Sequence, residues 1–165
     1  MKHLKSLFLT ICVVLITGHN AFSSDYAFRG QYQFTYFGFS IYDAALFMDQ
    51  KCENLECDFI LKLIYQRSFD KEDIVNRSIQ EIDALYDLDK NQKKRYKKLL
   101  LSVLVDVQDG DIIDGKMINS YANFYHNNKY IGKVDEKKLS KYFFDIWLSP
   151  QTSEPEMRNA LLNNQ

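Results

Sequence analysis

Histidine and cysteine, the residues that most often carry metal ions or nucleophilic chemistry, are scarce in this chain. Each occurs three times among 165 residues, and beyond residue 23 only His126, Cys52 and Cys57 remain. Any Ser-His-Asp or Cys-His catalytic arrangement in the mature chain would have to use His126. A structural zinc site needs about four ligands, which two cysteines and one histidine do not supply. We therefore expect no metal site.

Glycine-rich motifs are also missing. The six glycines form no phosphate-binding loop and no dinucleotide fingerprint, and no serine lies in a Gly-x-Ser-x-Gly elbow. The charge is nearly balanced, with 21 basic against 22 acidic residues, and no basic stripe marks a nucleic-acid partner. These absences predict a protein without a cofactor and without a nucleic-acid partner.

Long apolar runs are missing except at the N-terminus. Residues 7–16 are apolar and follow a basic start; the run is too short to cross a bilayer but is typical of the core of a secretory signal. Ala21 and Ser23 place small residues before a cleavage point. We predict a signal peptide at residues 1–23 and a single domain at residues 24–165, with the mature protein in a bacterial periplasm. An uncleaved N-terminal anchor is the alternative.

The two cysteines of the mature chain lie close together. Cys52 and Cys57 are separated by four residues and stand between two strand-like runs. In an oxidising compartment this spacing predicts a disulfide that closes the end of a hairpin. Two unpaired thiols in a loop are the alternative.

The rest of the chain alternates between strand-like and helix-like segments. Aromatic and β-branched residues alternate from 26 to 48 and again from 58 to 65, which indicates strands on a core. Apolar residues then recur at helical spacing after Asp70 and after Asp89. The predicted closing strands are 111–118, 120–126 and 129–134. Two further helices follow, and this order predicts an antiparallel sheet with helices on one face.

Short polar residues predict where these helices begin. Asp70 with Asp73, and Ser153 with Glu156, have the three-residue spacing of a capping box. Asp135 precedes the third helical segment and is expected to cap it.

Two stretches of the sequence resemble a known family. One is Gly38-Phe39-Ser40-Ile41-Tyr42-Asp43-Ala44-Ala45-Leu46. The other runs from Asn123-Phe124-Tyr125-His126 through Gly132-Lys133-Val134-Asp135 to Asp145-Ile146-Trp147-Leu148-Ser149-Pro150-Gln151-Thr152. Together they resemble the bacterial branch of the chalcone isomerase-like family, over residues 27–163. The resemblance implies an α+β fold, with an antiparallel sheet of about six or seven strands covered on one face by a helical layer.

The resemblance also implies a set of site residues. In chalcone isomerases a cleft between sheet and helices holds the substrate, and an arginine, a threonine, a tyrosine and an asparagine assist ring closure. Matched by motif, Arg29, Ser40 and Asn76 stand at the arginine, threonine and asparagine positions, and Phe69 replaces the tyrosine. Thr152 lies in the serine-proline turn of the family. We expect these five side chains to bind a ligand.

We expect a different role for the aromatic residues at the centres of the two stretches. Tyr42 and Trp147 are large side chains with one polar atom each, and we expect them to pack in the core instead of contacting a ligand.

The replacement at Phe69 decides the expected function. Phenylalanine has no hydroxyl to hold a water or to polarise a carbonyl, and loss of a preorganised donor typically lowers a rate by about 10²–10³. We therefore assign no catalytic residue and expect an exported binder of a small amphipathic molecule such as a fatty acid, with Arg29 pairing to a carboxylate.

Two other functions stay open on the sequence. One is an isomerase-type enzyme that uses the same cleft, and the other is an envelope protein-interaction module without a ligand. An open cavity between sheet and helices, lined by Arg29, Ser40 and Asn76, would favour binding over interaction.

Overall fold

The computed structural model describes residues 26–52 and 54–163 of the chain. The predicted signal peptide at residues 1–23 lies outside the described residues. The elements are β1 (Tyr26–Tyr36), β2 (Phe39–Asp49), β3 (Phe59–Tyr65), α1 (Lys71–Tyr86), α2 (Lys90–Val103), β4 (Ile112–Ile118), β5 (Tyr121–His126), β6 (Lys129–Lys133), α3 (Lys137–Leu148) and α4 (Pro155–Leu162). Among these four helices, none has the length and apolar character that a membrane crossing requires.

The six strands form one open sheet in the order in which they occur in the chain. Every neighbouring pair, from β1 with β2 to β5 with β6, is antiparallel. Two helices follow the third strand and two follow the sixth. The predicted fold class, an α+β protein with an antiparallel sheet of about six or seven strands and helices on one face, is confirmed, and the sheet has six strands.

One face of the sheet is buried beneath the helices. In β3 the alternate residues Phe59, Leu61, Leu63 and Tyr65 are buried, while the residues between them are partly exposed. The period of two in a strand puts these four side chains on the same face. The helix α3 supplies the opposing layer. Its buried residues are Leu139, Ser140, Phe143, Phe144, Ile146, Trp147 and Leu148.

A glycine allows α4 to approach the edge of the sheet. Gly30 lies on β1, and a Cβ placed there would be 2.0 Å from the carbonyl oxygen of Ala160. No heavy atom fits at that distance, so the main chain of α4 rests directly on the strand. The glycine that follows Arg29 is therefore required by packing.

The helix α2 begins as its sequence suggests. The Asp89 carboxylate accepts hydrogen bonds from the backbone N–H groups of Asn91 at 2.7 Å and Gln92 at 2.9 Å, and the Gln92 side chain accepts from the Asp89 backbone N–H. All partners lie within three residues, so this capping box needs no distant contact.

The predicted caps of the other helices are wrong in detail. The helix α1 does begin after Asp70, but the Asp70 side chain makes no capping bond. The residue before α3 is Glu136 instead of Asp135. The residue before α4 is Glu154, because the Ser153 hydroxyl donates instead to Glu81 of α1, at 2.8 Å.

A disulfide joins Cys52 and Cys57 in the connection between β2 and β3. Their Cα atoms are 6.1 Å apart, within the usual range for a bridged pair. The disulfide closes the loop between β2 and β3, as the cysteine spacing predicted.

We expect this disulfide to be present in the mature protein and to stabilise it. Closing so short a loop should contribute about 2 kcal/mol by restricting the unfolded chain. Replacing both cysteines by serine should therefore lower the free energy of unfolding by that amount in chemical denaturation. The intact mass of the wild type should rise by about two daltons on reduction, since two hydrogens are added. An unchanged mass would show that both thiols are free.

Candidate ligand-binding cavity

A cavity of about 290 Å³ lies between the buried face of the sheet and the helices. It is bounded by strands β1 to β5, by α1, α3 and α4, and by the segment that follows α2. Its apolar lining consists of Phe34, Ile41, Leu61, Leu63, Phe69, Ile74, Leu104, Val105, Ile113, Gly115, Phe124, Phe143, Phe144, Ile146 and Met157.

The cavity is large enough for a small molecule. A dry cavity of about 150 Å³ holds benzene, and ligand pockets in proteins begin at about 300 Å³. Space of this size with a lining of aliphatic and aromatic side chains suits an apolar chain or ring system.

An aromatic row crosses the sheet at one end of the cavity. Tyr42 of β2 is paired in register with Phe34 of β1 on one side and with Tyr65 of β3 on the other. The ring centroids are 5.1 Å apart for Phe34 and Tyr42 and 6.0 Å apart for Tyr42 and Tyr65. Phe69 extends the row, with its ring 6.0 Å from that of Tyr65. Because cross-strand partners lie side by side, the antiparallel register assembles this row.

Three polar atoms converge where the aromatic row meets α3. The Trp147 indole N–H donates to the Tyr42 hydroxyl at 3.0 Å. Tyr65 is buried, and among the described residues its hydroxyl has no hydrogen-bond partner. We call Tyr42, Tyr65 and Trp147 the polar end of the cavity.

Both tyrosines at the polar end stay protonated. Burial raises the pKa of the Tyr42 hydroxyl well above its ordinary value, although the Trp147 hydrogen bond opposes the shift. Burial also raises the pKa of Tyr65. A protonated phenol donates one hydrogen bond. Tyr42 already accepts from Trp147, so its own proton is free for a ligand, and so is that of Tyr65.

Charged residues form a rim around the polar end, which we call the charged rim: Asp73, Arg77, Glu81 and Glu154. Arg77 pairs with Glu81 one helical turn later, at 2.5 Å, and its side chain is 57% exposed. Asp73 is also exposed, so the cavity reaches the surface between α1 and residues 153–154. The negative charges of Glu154 and Glu81 contribute to the raised pKa of Tyr42, which places both carboxylates near the polar end.

The comparisons with known proteins agree with this fold. A model of the chalcone isomerase-like family matches residues 32–163. The chain belongs to the chalcone isomerase-like family. The crystal structure of a fatty-acid binding protein of Arabidopsis thaliana is similar, with a TM-score of 0.65 at 11% identity over 86% of this chain and 88% of that one. At this identity the likeness shows the fold. Comparison with curated protein sequences gives no match.

Arg29, the arginine implied by the family resemblance, lies outside the cavity lining. It occupies an irregularity in the β1–β2 ladder, between the paired residues Phe28 and Gly30. Its guanidinium donates to the carbonyl oxygen of Cys52 at 2.6 Å, while its Nε is buried with no partner in the described part of the chain. The side chain is therefore directed toward the β2–β3 connection.

Ser40 lies at the opposite end of the same ladder. It pairs with Thr35 beside the β1–β2 turn, whereas Arg29 lies near the level of Phe47. Ser40 and Phe47 are seven positions apart on β2, or roughly 23 Å at about 3.3 Å per residue. Arg29 and Ser40 therefore do not meet around one small head group.

The other three expected site residues are also separated. Phe69 lines the cavity, and Asn76 is half-buried on α1 but is not part of the lining. Thr152 is buried, and its hydroxyl donates to the Ile146 carbonyl at 2.6 Å and accepts from the Glu154 backbone N–H at 3.2 Å. Of the five residues, the structure brings only Phe69 to the cavity.

The sequence interpretation missed the polar end. Tyr42 and Trp147 do pack in the core, as expected, but neither was assigned to a site, and Tyr65 was not singled out. All three line the cavity. One signal was available: the period-two pattern puts Tyr42 and Tyr65 on the inward face of adjacent strands, where two buried phenols need partners.

In the part of the chain that the structure describes, neither a metal site nor a histidine lines the cavity. Within residues 26–52 and 54–163, no group of three or more metal-ligating side chains is present. His126 is outside the lining, and its Nε2 lies 3.0 Å from the Asp111 carboxylate.

We expect phenylalanine substitutions at the two tyrosines of the polar end to lower the free energy of unfolding by different amounts. Tyr42→Phe leaves the buried Trp147 N–H without its acceptor, which should lower the free energy of unfolding by about 1–3 kcal/mol. Tyr65→Phe removes a hydroxyl with no partner among the described residues, so it should cost much less and serves as the matched control. Urea denaturation measures both. Equal losses would mean that the Trp147–Tyr42 bond does not stabilise the fold.

Proposed function

We propose that this protein binds a small amphipathic molecule in the cavity without catalysing a reaction. The apolar chain of the ligand lies among the aliphatic and aromatic lining, and its polar head lies at the polar end. The observation that carries the proposal is the combination of a cavity of about 290 Å³ with a largely apolar wall and hydroxyl donors at one end. A concave apolar site with a few convergent polar groups is typical of ligand-binding proteins.

Two further points support binding. The Arabidopsis thaliana structure that shares this fold is named a fatty-acid binding protein. The cavity is also open, whereas an interaction module without a ligand would have no need for an unfilled interior.

A fluorescence assay tests where the ligand binds. The uncharged probe N-phenyl-1-naphthylamine becomes fluorescent in apolar surroundings, and we expect the wild type to enhance its emission. Ile74 lines the cavity on α1, so Ile74→Trp should fill part of the cavity and weaken probe binding at least tenfold. Ile79, on the same helix and half-buried outside the lining, supplies the control Ile79→Trp. No enhancement by the wild type, or equal binding by both variants, would contradict the proposal.

Catalysis is tested separately. Phe69 lies in the cavity wall, at the motif position where chalcone isomerases carry a tyrosine. A phenyl ring has no hydroxyl to stabilise the charge that develops during the reaction. We expect no acceleration of hydroxychalcone closure to a flavanone above background, followed by chalcone absorbance. Enzyme-like loss of chalcone, abolished in Ile74→Trp but kept in Ile79→Trp, would establish the isomerase alternative.

Export is part of the proposal. The basic start, the short apolar run and the small residues before position 24 support a cleaved signal peptide, and the Cys52–Cys57 disulfide suits an oxidising compartment. The mature protein would then meet its ligand in the periplasm. Retention of residues 1–23 in the protein purified from its own cells would contradict cleavage.

A further inference from the structure

The hydrogen-bonding groups at the polar end are donors. Tyr42 uses its oxygen to accept from Trp147 at 3.0 Å, which leaves its proton for a ligand. The Tyr65 hydroxyl lines the cavity, on a side chain only 6% exposed, without a partner in the described part of the chain. This donor faces the cavity, so a ligand that accepts a hydrogen bond could bind to it.

The charges near these donors are predominantly negative. Glu81 is paired on both oxygens: Arg77 pairs with one carboxylate oxygen at 2.5 Å and Ser153 donates to the other at 2.8 Å. Glu154 is half-buried on the charged rim, and within the described residues its carboxylate has no hydrogen-bond or ion-pair partner. Asp73 adds a second unpaired carboxylate, although it is exposed.

No lining cation is left to balance these carboxylates. Arg77 is the only basic residue among the described residues that line the cavity, and its guanidinium is engaged by Glu81. Arg29 bonds to the Cys52 carbonyl outside the cavity. An ionised carboxylate placed at the polar end would therefore lie near Glu154 without a counter-charge, and repulsion between like charges is stronger where water is excluded.

We infer that the cavity selects amphiphiles with an uncharged, hydrogen-bond-accepting head group, such as a long-chain alcohol or amide, over those with an ionised carboxylate. This inference rests on the proposed function and names the ligand class of the same site. The head accepts from Tyr65 and Tyr42, and a hydroxyl or amide head also donates to Glu154. An ionised fatty acid is then the disfavoured ligand.

Titrations with three ten-carbon amphiphiles test the inference. Trp147 is the only tryptophan in the chain and lies at the polar end, so its fluorescence reports binding directly. At pH 8, below their aggregation limits, decanol and decanamide should bind at least tenfold more tightly than decanoate. Equal affinities, or tighter binding of decanoate, would overturn the inference while leaving the proposed function intact. No binding of any of the three would overturn both.

Charge variants identify the residue responsible. Glu154→Gln should raise the affinity for decanoate severalfold relative to the affinity for decanol, because it removes the charge that repels the carboxylate. The control is Glu156→Gln, which removes the same charge from an exposed position in the first turn of α4 outside the cavity lining. A ratio of decanol to decanoate affinity that responds equally to both variants, or to neither, would contradict the role of Glu154.

A cationic amphiphile tests whether the cavity prefers an uncharged head group or a positively charged one. Decylammonium would pair with Glu154 but could not accept a hydrogen bond from the tyrosines. We expect it to bind less tightly than decanol, and we expect Tyr65→Phe to weaken decanol binding severalfold. Tightest binding by decylammonium, unaffected by Tyr65→Phe, would replace the uncharged class with a cationic one.

Discussion

The hydrogen bond from the Trp147 indole to the Tyr42 hydroxyl joins the two layers of this protein at the polar end of the cavity. The two residues are 105 positions apart in the sequence, so the bond forms only when α3 lies on the sheet. It satisfies a buried indole N–H, orients the ring that stacks with Phe34, and leaves the Tyr42 proton for a ligand. One contact therefore supports the fold and prepares the site.

An empty cavity of this size lowers the stability of the fold. Empty interior space destabilises a protein by about 24 cal/mol per Å³, so a dry cavity of about 290 Å³ corresponds to several kcal/mol, against a typical total stability of roughly 5–15 kcal/mol. An apolar ligand would restore the missing contacts, which links the stability of the domain to its occupancy.

Local patterns in the sequence predicted the elements of the fold well. The period of two identified the long strands, and helical spacing identified four helices, because both patterns depend only on neighbouring residues. Helical spacing also placed the start of α2 near Asp89, where Asp89 and Gln92 bond to each other. The predicted capping box of α4 was wrong, because the Ser153 hydroxyl has its partner on α1 instead of on its own helix.

The sequence by itself determined the family, the order of strands and helices, the proximity of Cys52 and Cys57, and the absence of a hydroxyl at Phe69. The tertiary structure alone decided which side chains share the cavity. The irregularity at Arg29 in the β1–β2 ladder directs that side chain away from the cavity, while the strand register and the docking of α3 bring Tyr42, Tyr65 and Trp147 together. Positions far apart in the chain meet through strand register and helix packing, and a bulge of one residue is enough to change which of them do.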